Sequence, residues 1–256
     1  MKRLEPNILR YESLPSTNTE AIRLASEGSA EGLTIVADEQ TAGRGRLQRT
    51  WISPRGAGLY VSVLLRPKMP LDRWALITFA ASLAVSDALF AACDVKTDIK
   101  WPNDILAGER KICGILAEAI DTIIGRAVVV GIGINLARTA FPQHLAATAT
   151  SIEEVNGYPA DREMLLAQLL ENLFRWYELL HGTTGANTVR SAWISRSSYA
   201  VGRRVMISNA DEVFQGVTSG LEEDGALRVE TETEGIRIVR AGDIVSIRPS
   251  SSSPYL

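Results

Sequence analysis

Gly43-Arg44-Gly45-Arg46-Leu47-Gln48-Arg49-Thr50-Trp51 joins two strand-forming stretches, Leu33-Thr34-Ile35-Val36-Ala37 before it and Gly58-Leu59-Tyr60-Val61-Ser62-Val63-Leu64-Leu65 after it. The first is a short, nearly continuous apolar run, the pattern of a buried strand. The second alternates, then runs apolar, and is stopped by Pro67 and Pro70. The loop therefore leaves the carboxyl end of a buried strand, a usual location for sites on sheets covered by helices. From Gln40 to Leu71 the chain holds six basic residues and no acidic one. Exposed arginines are ordinarily interspersed with carboxylates. Without them, the loop reads as an anion site: glycines permit close backbone approach, and guanidinium forks match phosphate or carboxylate.

Composition limits which anion. A chain of 256 residues, 46% hydrophobic and 22% charged, has room for a sizeable core and two domains. Its net charge of -3 argues against nucleic acid and makes the basic loop a local feature aimed at a small anion. Cys93 and Cys113 lack the spacing of a disulfide framework or a zinc site and are expected as reduced thiols. No signal-peptide core and no run of about 18 apolar residues stands out, so the expectation is a cytoplasmic protein without a membrane partner.

Outward from the loop, residues 1–15 are too few for a domain, and Thr17 with Glu20 three residues on predicts a capping box opening a helix that ends at Gly28. Ser16, Thr17 and Asn18 would also form a neutral polar wall at that helix start. Asp72 is expected to cap a helix running to about Ala91, with Leu76, Phe79, Ala80, Leu83 and Ala84 as one apolar stripe. The segments 98–106 and 111–119, around a turn at Gly108-Glu109-Arg110, predict a hairpin that gathers Asn103, Asp104, Arg110 and Lys111. Ala127-Val128-Val129-Val130 leads into Gly131-Ile132-Gly133-Ile134-Asn135, which lacks the third glycine and following helix of a dinucleotide site. Its small residues would leave space for a flat ligand or a close backbone. Residues 139–159 read as a long covering loop, and Asp161 as the cap of an amphipathic helix ending at Gly182. After Trp193, five short strands, the last of them Ile244-Val245-Ser246-Ile247, predict a small barrel.

In this order, Ser16-Thr17-Asn18, the block from Gln40 to Arg46 with Arg49 and Trp51, Lys100-Trp101-Pro102-Asn103-Asp104, Lys111-Ile112-Cys113-Gly114-Ile115-Leu116 and Gly131-Ile132-Gly133-Ile134-Asn135 resemble the biotin protein ligase family. The resemblance implies an α+β fold: a class II aminoacyl-tRNA synthetase-like mixed-sheet catalytic domain over residues 1–200, an SH3-like β-barrel over 201–249 and a flexible tail at 250–256. With about fifteen residues before the first block, it implies a monofunctional ligase without the DNA-binding helix-turn-helix of bifunctional members. One departure is Gln48, where many relatives have glycine.

The implied chemistry is activation of biotin by ATP with Mg2+ to biotinyl-5'-AMP, then transfer to a lysine of biotin carboxyl carrier protein, an acetyl-CoA carboxylase subunit or similar. Lys111 and Arg46 would be catalytic. Biotin would be held by Ser16, Thr17, Asn18, Gln40, Gly43, Arg44, Gly45, Arg46, Lys111 and Gly114, because a neutral ureido ring suits neutral partners. The nucleotide would be held by Arg44, Arg46, Arg49, Trp51, Asn103, Lys111 and Asn135, with Asp104 facing the acceptor lysine. No protein carboxylate cluster marks a metal cage, and no Ser-His or Cys-His pair is required, which leaves His144 and His181 to solvent or a helix end. Strand edges offer pairing to a second subunit, giving a homodimer, or to the carrier. A lipoate or octanoate ligase would need a glycine-rich block after paired arginines and a histidine-containing turn, neither of which is present. A biotin sensor without turnover would not need Lys111 and the arginines.

Overall fold

A computed structural model describes residues 4–208, 212–240 and 242–246. Ile247 and the tail expected at 250–256 lie outside them. A seven-stranded sheet has the order β1-β2-β3-β7-β6-β5-β4, made of β1 (Asn7–Tyr11), β2 (Leu33–Ala37), β3 (Gly58–Leu65), β4 (Asp98–Lys100), β5 (Asp104–Ala107), β6 (Arg110–Thr122) and β7 (Gly125–Asn135). β1 and β2 are parallel and all other neighbours antiparallel. Strands β2 and β3 occur where the apolar runs place them. Strand β1 was not anticipated, because its Asn7-Ile8-Leu9-Arg10-Tyr11 shows no clean alternation and none of its residues is fully buried.

Both faces of the sheet are covered, which is why β2 and β3 are buried throughout. One face carries α2 (Ala75–Cys93), α4 (Arg162–Leu180) and α5 (Gly185–Ser195), packed on Val61, Val63, Val130 and Ile132. The opposite face meets α1 (Thr17–Ser26), whose Ala21 and Ala25 contact Leu64, Ala127 and Val129. Helix α1 covers only that end. With a side-chain period of two, Gly131, Gly133 and Asn135 share the α1 face with Val129 but lie beyond the helix. Their neighbours in register, Ser62 and Tyr60 of β3 and Leu116 and Gly114 of β6, point the same way. That uncovered end of the sheet is the floor of the site.

Helix α2 differs from expectation in two respects. It begins at Ala75 after a short turn over Leu71–Arg73, and its N-cap Trp74 makes no side-chain cap bond, so Asp72 does not cap it. It is also buried nearly all round, not along one stripe, because α4, α5, the sheet and the Gly225 turn surround it. The stretch Leu71–Cys93 is by length and composition long and apolar enough to cross a membrane, with an 18-residue window of mean hydropathy 1.8, yet 72% of that window is buried inside this fold. Helix α5 was not foreseen. It is anchored by Trp193, whose ring stacks on Phe79 of α2 at 4.7 Å. Helix α4 begins where expected: Asp161 accepts from the amides of Glu163 and Met164. The segment read as a long loop contains short 3-10 turns and α3 (Ile152–Asn156), whose N-cap Ser151 accepts from the Glu154 amide.

The C-terminal strands β8 (Val201–Ser208), β9 (Val213–Leu221), β10 (Leu227–Thr231), β11 (Gly235–Val239) and β12 (Asp243–Ser246) form an antiparallel sheet of order β11-β10-β9-β8-β12. Its inward residues, among them Val205, Leu227 and Val229, join the main core. The β9–β10 turn seats Gly225 at positive φ against Phe79 and Leu76, and its carbonyl accepts from Trp101 Nε1 at 3.1 Å.

Candidate functional site

A cavity of about 320 Å³ opens above the uncovered end of the sheet. Its walls are the start of α1, the arginine loop, the β4–β5 turn, the first half of β6, and residues 140–149. Every residue given a catalytic or binding role from the sequence lines it except Gly43, and Arg110 of the expected hairpin does not. Gly43 lies at the loop's base, where an added Cβ would stand 2.2 Å from the Trp51 carbonyl oxygen. It is needed for the loop to close on itself.

At one end the wall is neutral and hydrogen-bonded. Thr17 donates from both its amide and its hydroxyl to Gln40 Oε1, at 2.8 and 3.1 Å. Gln40 Nε2 donates to Ser53 Oγ at 2.8 Å, which in turn donates to the Trp51 carbonyl. The Ser62 hydroxyl lies 2.7 Å from Thr17 Oγ1 and 2.6 Å from Asn18 Oδ1. The expected capping box is therefore absent: Ser16 is the N-cap without a side-chain bond, and Glu20 turns to Arg23 and Tyr11. A buried hydroxyl between Gln40 and Ser62 satisfies more polar atoms there than it would at the helix start. Ser16 is buried with its hydroxyl unengaged among the described residues.

Three glycines of the floor make room for side chains of the chain itself. A Cβ on Gly131 would sit 2.0 Å from Asn18 Oδ1, one on Gly133 2.4 Å from Trp51 Nε1, and one on Gly114 3.1 Å from Trp51 Cζ3. The space read from the small residues as room for a flat ligand is filled by Asn18 and Trp51. The Trp51 indole N–H is buried without a partner. Over the same ring, at 5.3 Å, stands Lys111 Nζ, which pairs with Asp104 Oδ1 at 2.6 Å. The Lys111 backbone is bolted to the covering segment by its amide to Thr148 O and its carbonyl from the Thr150 amide. Asn135 is committed to the same segment, donating to Thr150 O at 2.9 Å.

The arginines are not unscreened. Arg44 pairs with Glu118 at 2.6 Å, Arg49 pairs with Asp243, and Arg46 Nη1 donates to Asn103 Oδ1 at 3.3 Å and to Gly242 O at 3.4 Å. Their partners come from β6, the β4–β5 turn and the C-terminal sheet, all distant in sequence, so a local count of charges missed them. Burial pushes the Arg46 guanidinium down from its ordinary pKa, with Asp243 and Asp104 opposing. Leu47 and Gln48 have φ of 53° and 58°, so Gln48 stands in a backbone conformation that glycine adopts more cheaply.

The sequence reading also overlooked Asp243 and the apolar wall of Phe141 and Leu145. No periodicity or motif marks them. Lys100, which opens the Lys100–Asp104 block, lies outside the cavity lining, and burial holds its ammonium pKa below the usual lysine range. Neither histidine lines the cavity. His181 Nδ1 is 2.8 Å from Tyr177 O at the end of α4. Cys93 and Cys113 are free thiols whose pKa values burial raises. Among the described residues there is no cluster of three or more His, Cys, Asp or Glu fit to hold a metal.

Residues 11–135 match the model of the biotin/lipoate A/B protein ligase family, and residues 201–245 that of the biotin protein ligase C-terminal domain. The bifunctional ligase/repressor BirA of Bacillus subtilis is 36% identical over 246 residues, covering 93% of this chain and 73% of that protein. The biotin–acetyl-CoA-carboxylase ligase of Paracoccus denitrificans is 36% identical over 220 residues, covering 83% of this chain and 89% of that one. The biotin protein ligase from Aquifex aeolicus, solved in complex with biotin and ATP, superposes with a TM-score of 0.81 at 30% identity over 95% of this chain and 99% of that one.

Proposed function

This chain belongs to the biotin/lipoate A/B protein ligase family, among its biotin protein ligases, and from that premise we propose how its cavity performs their reaction. The enzyme activates biotin with ATP to biotinyl-5'-AMP and transfers the biotinyl group to a lysine of biotin carboxyl carrier protein. In the first step a biotin carboxylate oxygen bonds to the α-phosphorus and pyrophosphate leaves. In the second, the lysine amine bonds to the carbonyl carbon, AMP leaves, and the amine's proton must be taken up. Two anions have to meet, so positive charge and positioning carry the first step.

The observation that carries this reading is the position of Lys111. Its ammonium stands between the neutral wall and the arginine loop, tethered among the described residues to Asp104 and the face of Trp51. Such a cation serves to bridge biotin carboxylate and α-phosphate as charge grows at phosphorus. Once it turns to those anions, Asp104 is released, and a free carboxylate beside the mixed anhydride is suited to accept the proton of the incoming lysine. Ser16, Thr17, Gln40 and Asn18 face the ureido ring. Arg46 takes phosphate oxygens, with Arg49, Asn103 and Trp51 on the nucleotide side. Asn135 acts there through the covering segment it holds. Magnesium would arrive on the phosphates of ATP, and since the described residues offer no carboxylate cluster for it, no step is assigned to it.

The finer fold reading, a class II aminoacyl-tRNA synthetase-like domain with an SH3-like C-terminal barrel, is supported by the mixed sheet and by the strand order β11-β10-β9-β8-β12. We place the protein in the cytoplasm, where carrier and ATP are available. The edge strands β1 and β4 are the places for pairing with a second subunit or the carrier.

Pyrophosphate release from ATP, measured with biotin, with lipoate and with neither, and with and without a carrier domain, tests the assignment. Release that depends on biotin and continues past one turnover only with carrier is expected. Release driven by lipoate would move the chain to the other branch of its family. Losing one preorganised donor costs about 3 kcal/mol of transition-state stabilisation, so Lys111→Ala should slow adenylation by roughly a hundredfold. Asp104→Asn should slow transfer from preformed adenylate more than adenylation.

A further inference from the structure

Asn18 of the neutral wall and Arg44 of the arginine loop are joined through a side chain that no motif marks. Glu118 lies on β6 opposite Val129 of β7, on the face that carries the cavity floor. Its Oε2 accepts from Asn18 Nδ2 at 2.7 Å and from Arg44 Nη2 at 2.6 Å. Asn18 is fixed on every side. Its amide also donates to Leu116 O at 3.2 Å, its carbonyl oxygen faces the Ser62 hydroxyl, and Gly131 beneath it leaves no spare volume. Arg44, by contrast, has Glu118 as its one ion-pair partner among the described residues, and its side chain is 42% exposed. One carboxylate oxygen thus ties a buried, hydrogen-bonded group to a partly exposed arginine. Bonds to an ionised acceptor are shorter and about twice as strong as neutral ones.

Resting on the biotin ligase reading above, we propose that Glu118 is a positioning residue: it holds Arg44 at the biotin end of the cavity and links that arginine to Asn18, so that this part of the arginine loop serves biotin and not the nucleotide. The three loop arginines then divide their work. Arg46 and Arg49 lean toward Asn103 and the C-terminal sheet, the nucleotide side, while Arg44 is held at the start of α1. Glu118 does this without placing a net charge beside a neutral ligand, because Arg44 neutralises it.

Two substitutions separate the parts of this role. Glu118→Gln keeps an acceptor for Asn18 and removes the charge that holds Arg44; Glu118→Ala removes both. In the Gln variant the biotin dissociation rate and the KM for biotin should rise on the order of tenfold, the size of one partly exposed charge-assisted bond. The KM for ATP at saturating biotin and kcat should move less than about twofold on the same scale. Glu118→Ala should add faster loss of biotinyl-adenylate from the enzyme. Combined with Arg44→Ala, Glu118→Gln should add nothing further, since contacting residues that act together are not additive. A merely structural Glu118 would shift both KM values together, or the two substitutions would add in full; either result, or an unchanged biotin dissociation rate, overturns the proposal. Wild-type protein that fails to bind biotin overturns this proposal and the assigned activity together, whereas active wild type with unaltered variants overturns the Glu118 role alone.

Discussion

At the scale of single residues, the site is shaped by what glycine omits. Gly133 has ordinary strand geometry and faces Trp51, so its replacement is a matter of volume and not of backbone. Gly133→Ala would put a methyl group 2.4 Å from the Trp51 nitrogen and must displace the ring. Overpacking of this kind costs about 1–3 kcal/mol, and Lys111 would lose the aromatic face beneath it. The expected result is a changed Trp51 fluorescence and adenylation slowed at least several-fold with the chain still folded. Unaltered fluorescence would mean that the ring does not lie in this slot. Gln48 teaches the converse lesson. Its departure from glycine is visible in the sequence, but only the backbone shows that the position calls for positive φ, a conformation that costs an L-residue roughly 1–2 kcal/mol.

Elements differ in how far local chemistry governs them. Helix α4 is written by its own residues: a cap at Asp161, then Leu165, Leu166, Leu169, Leu170, Leu173, Phe174, Tyr177 and Leu180 all buried. Asp161→Ala removes the acceptor for two amides and should cost about 1 kcal/mol, lowering Tm by roughly 2–4 °C for a chain of this size. Calorimetry checks it, and no shift would show that the helix start is held by tertiary packing alone. Helix α1 is the opposite case. Its capping-box residues are present, yet Thr17 serves Gln40 and Ser62 because burial against the sheet makes those bonds worth more. Helix α2 shows a third outcome, an apolar sequence so surrounded by partners that the one stripe read from it is only part of the surface it buries.

For the whole molecule, the consequential contacts join the two sheets. Arg49 pairs with Asp243, Arg46 reaches Gly242 O, and Trp101 donates to Gly225 O. The C-terminal sheet therefore supplies part of the wall around the arginine loop and also braces the turn that carries Asn103 and Asp104. Asp243→Asn would release Arg49 without touching either core. Faster trypsin cleavage of the ligand-free loop and a several-fold higher KM for ATP are expected, on the scale of a partly exposed ion pair. Cleavage at the wild-type rate would show that the loop is held by its own turn.

Much of this protein was legible before any coordinates: the positions of β2, β3, β7 and α4, the strand-rich C-terminal region, and a cavity assembled around Lys111, Thr17, Gln40 and the arginine loop. Those features follow from short-range physics, namely the side-chain period of strands and helices, the cap chemistry of aspartate, and residue types whose chemistry is specific to their task. What only the tertiary structure decided are pairings between residues far apart in the chain. The acids that neutralise the loop, Glu118 and Asp243, come from 74 and 194 residues away, and the glycine bed is filled by Asn18 and Trp51. Nothing in the local sequence encodes such partners, because register and sheet order, not spacing along the chain, set which side chains share one face.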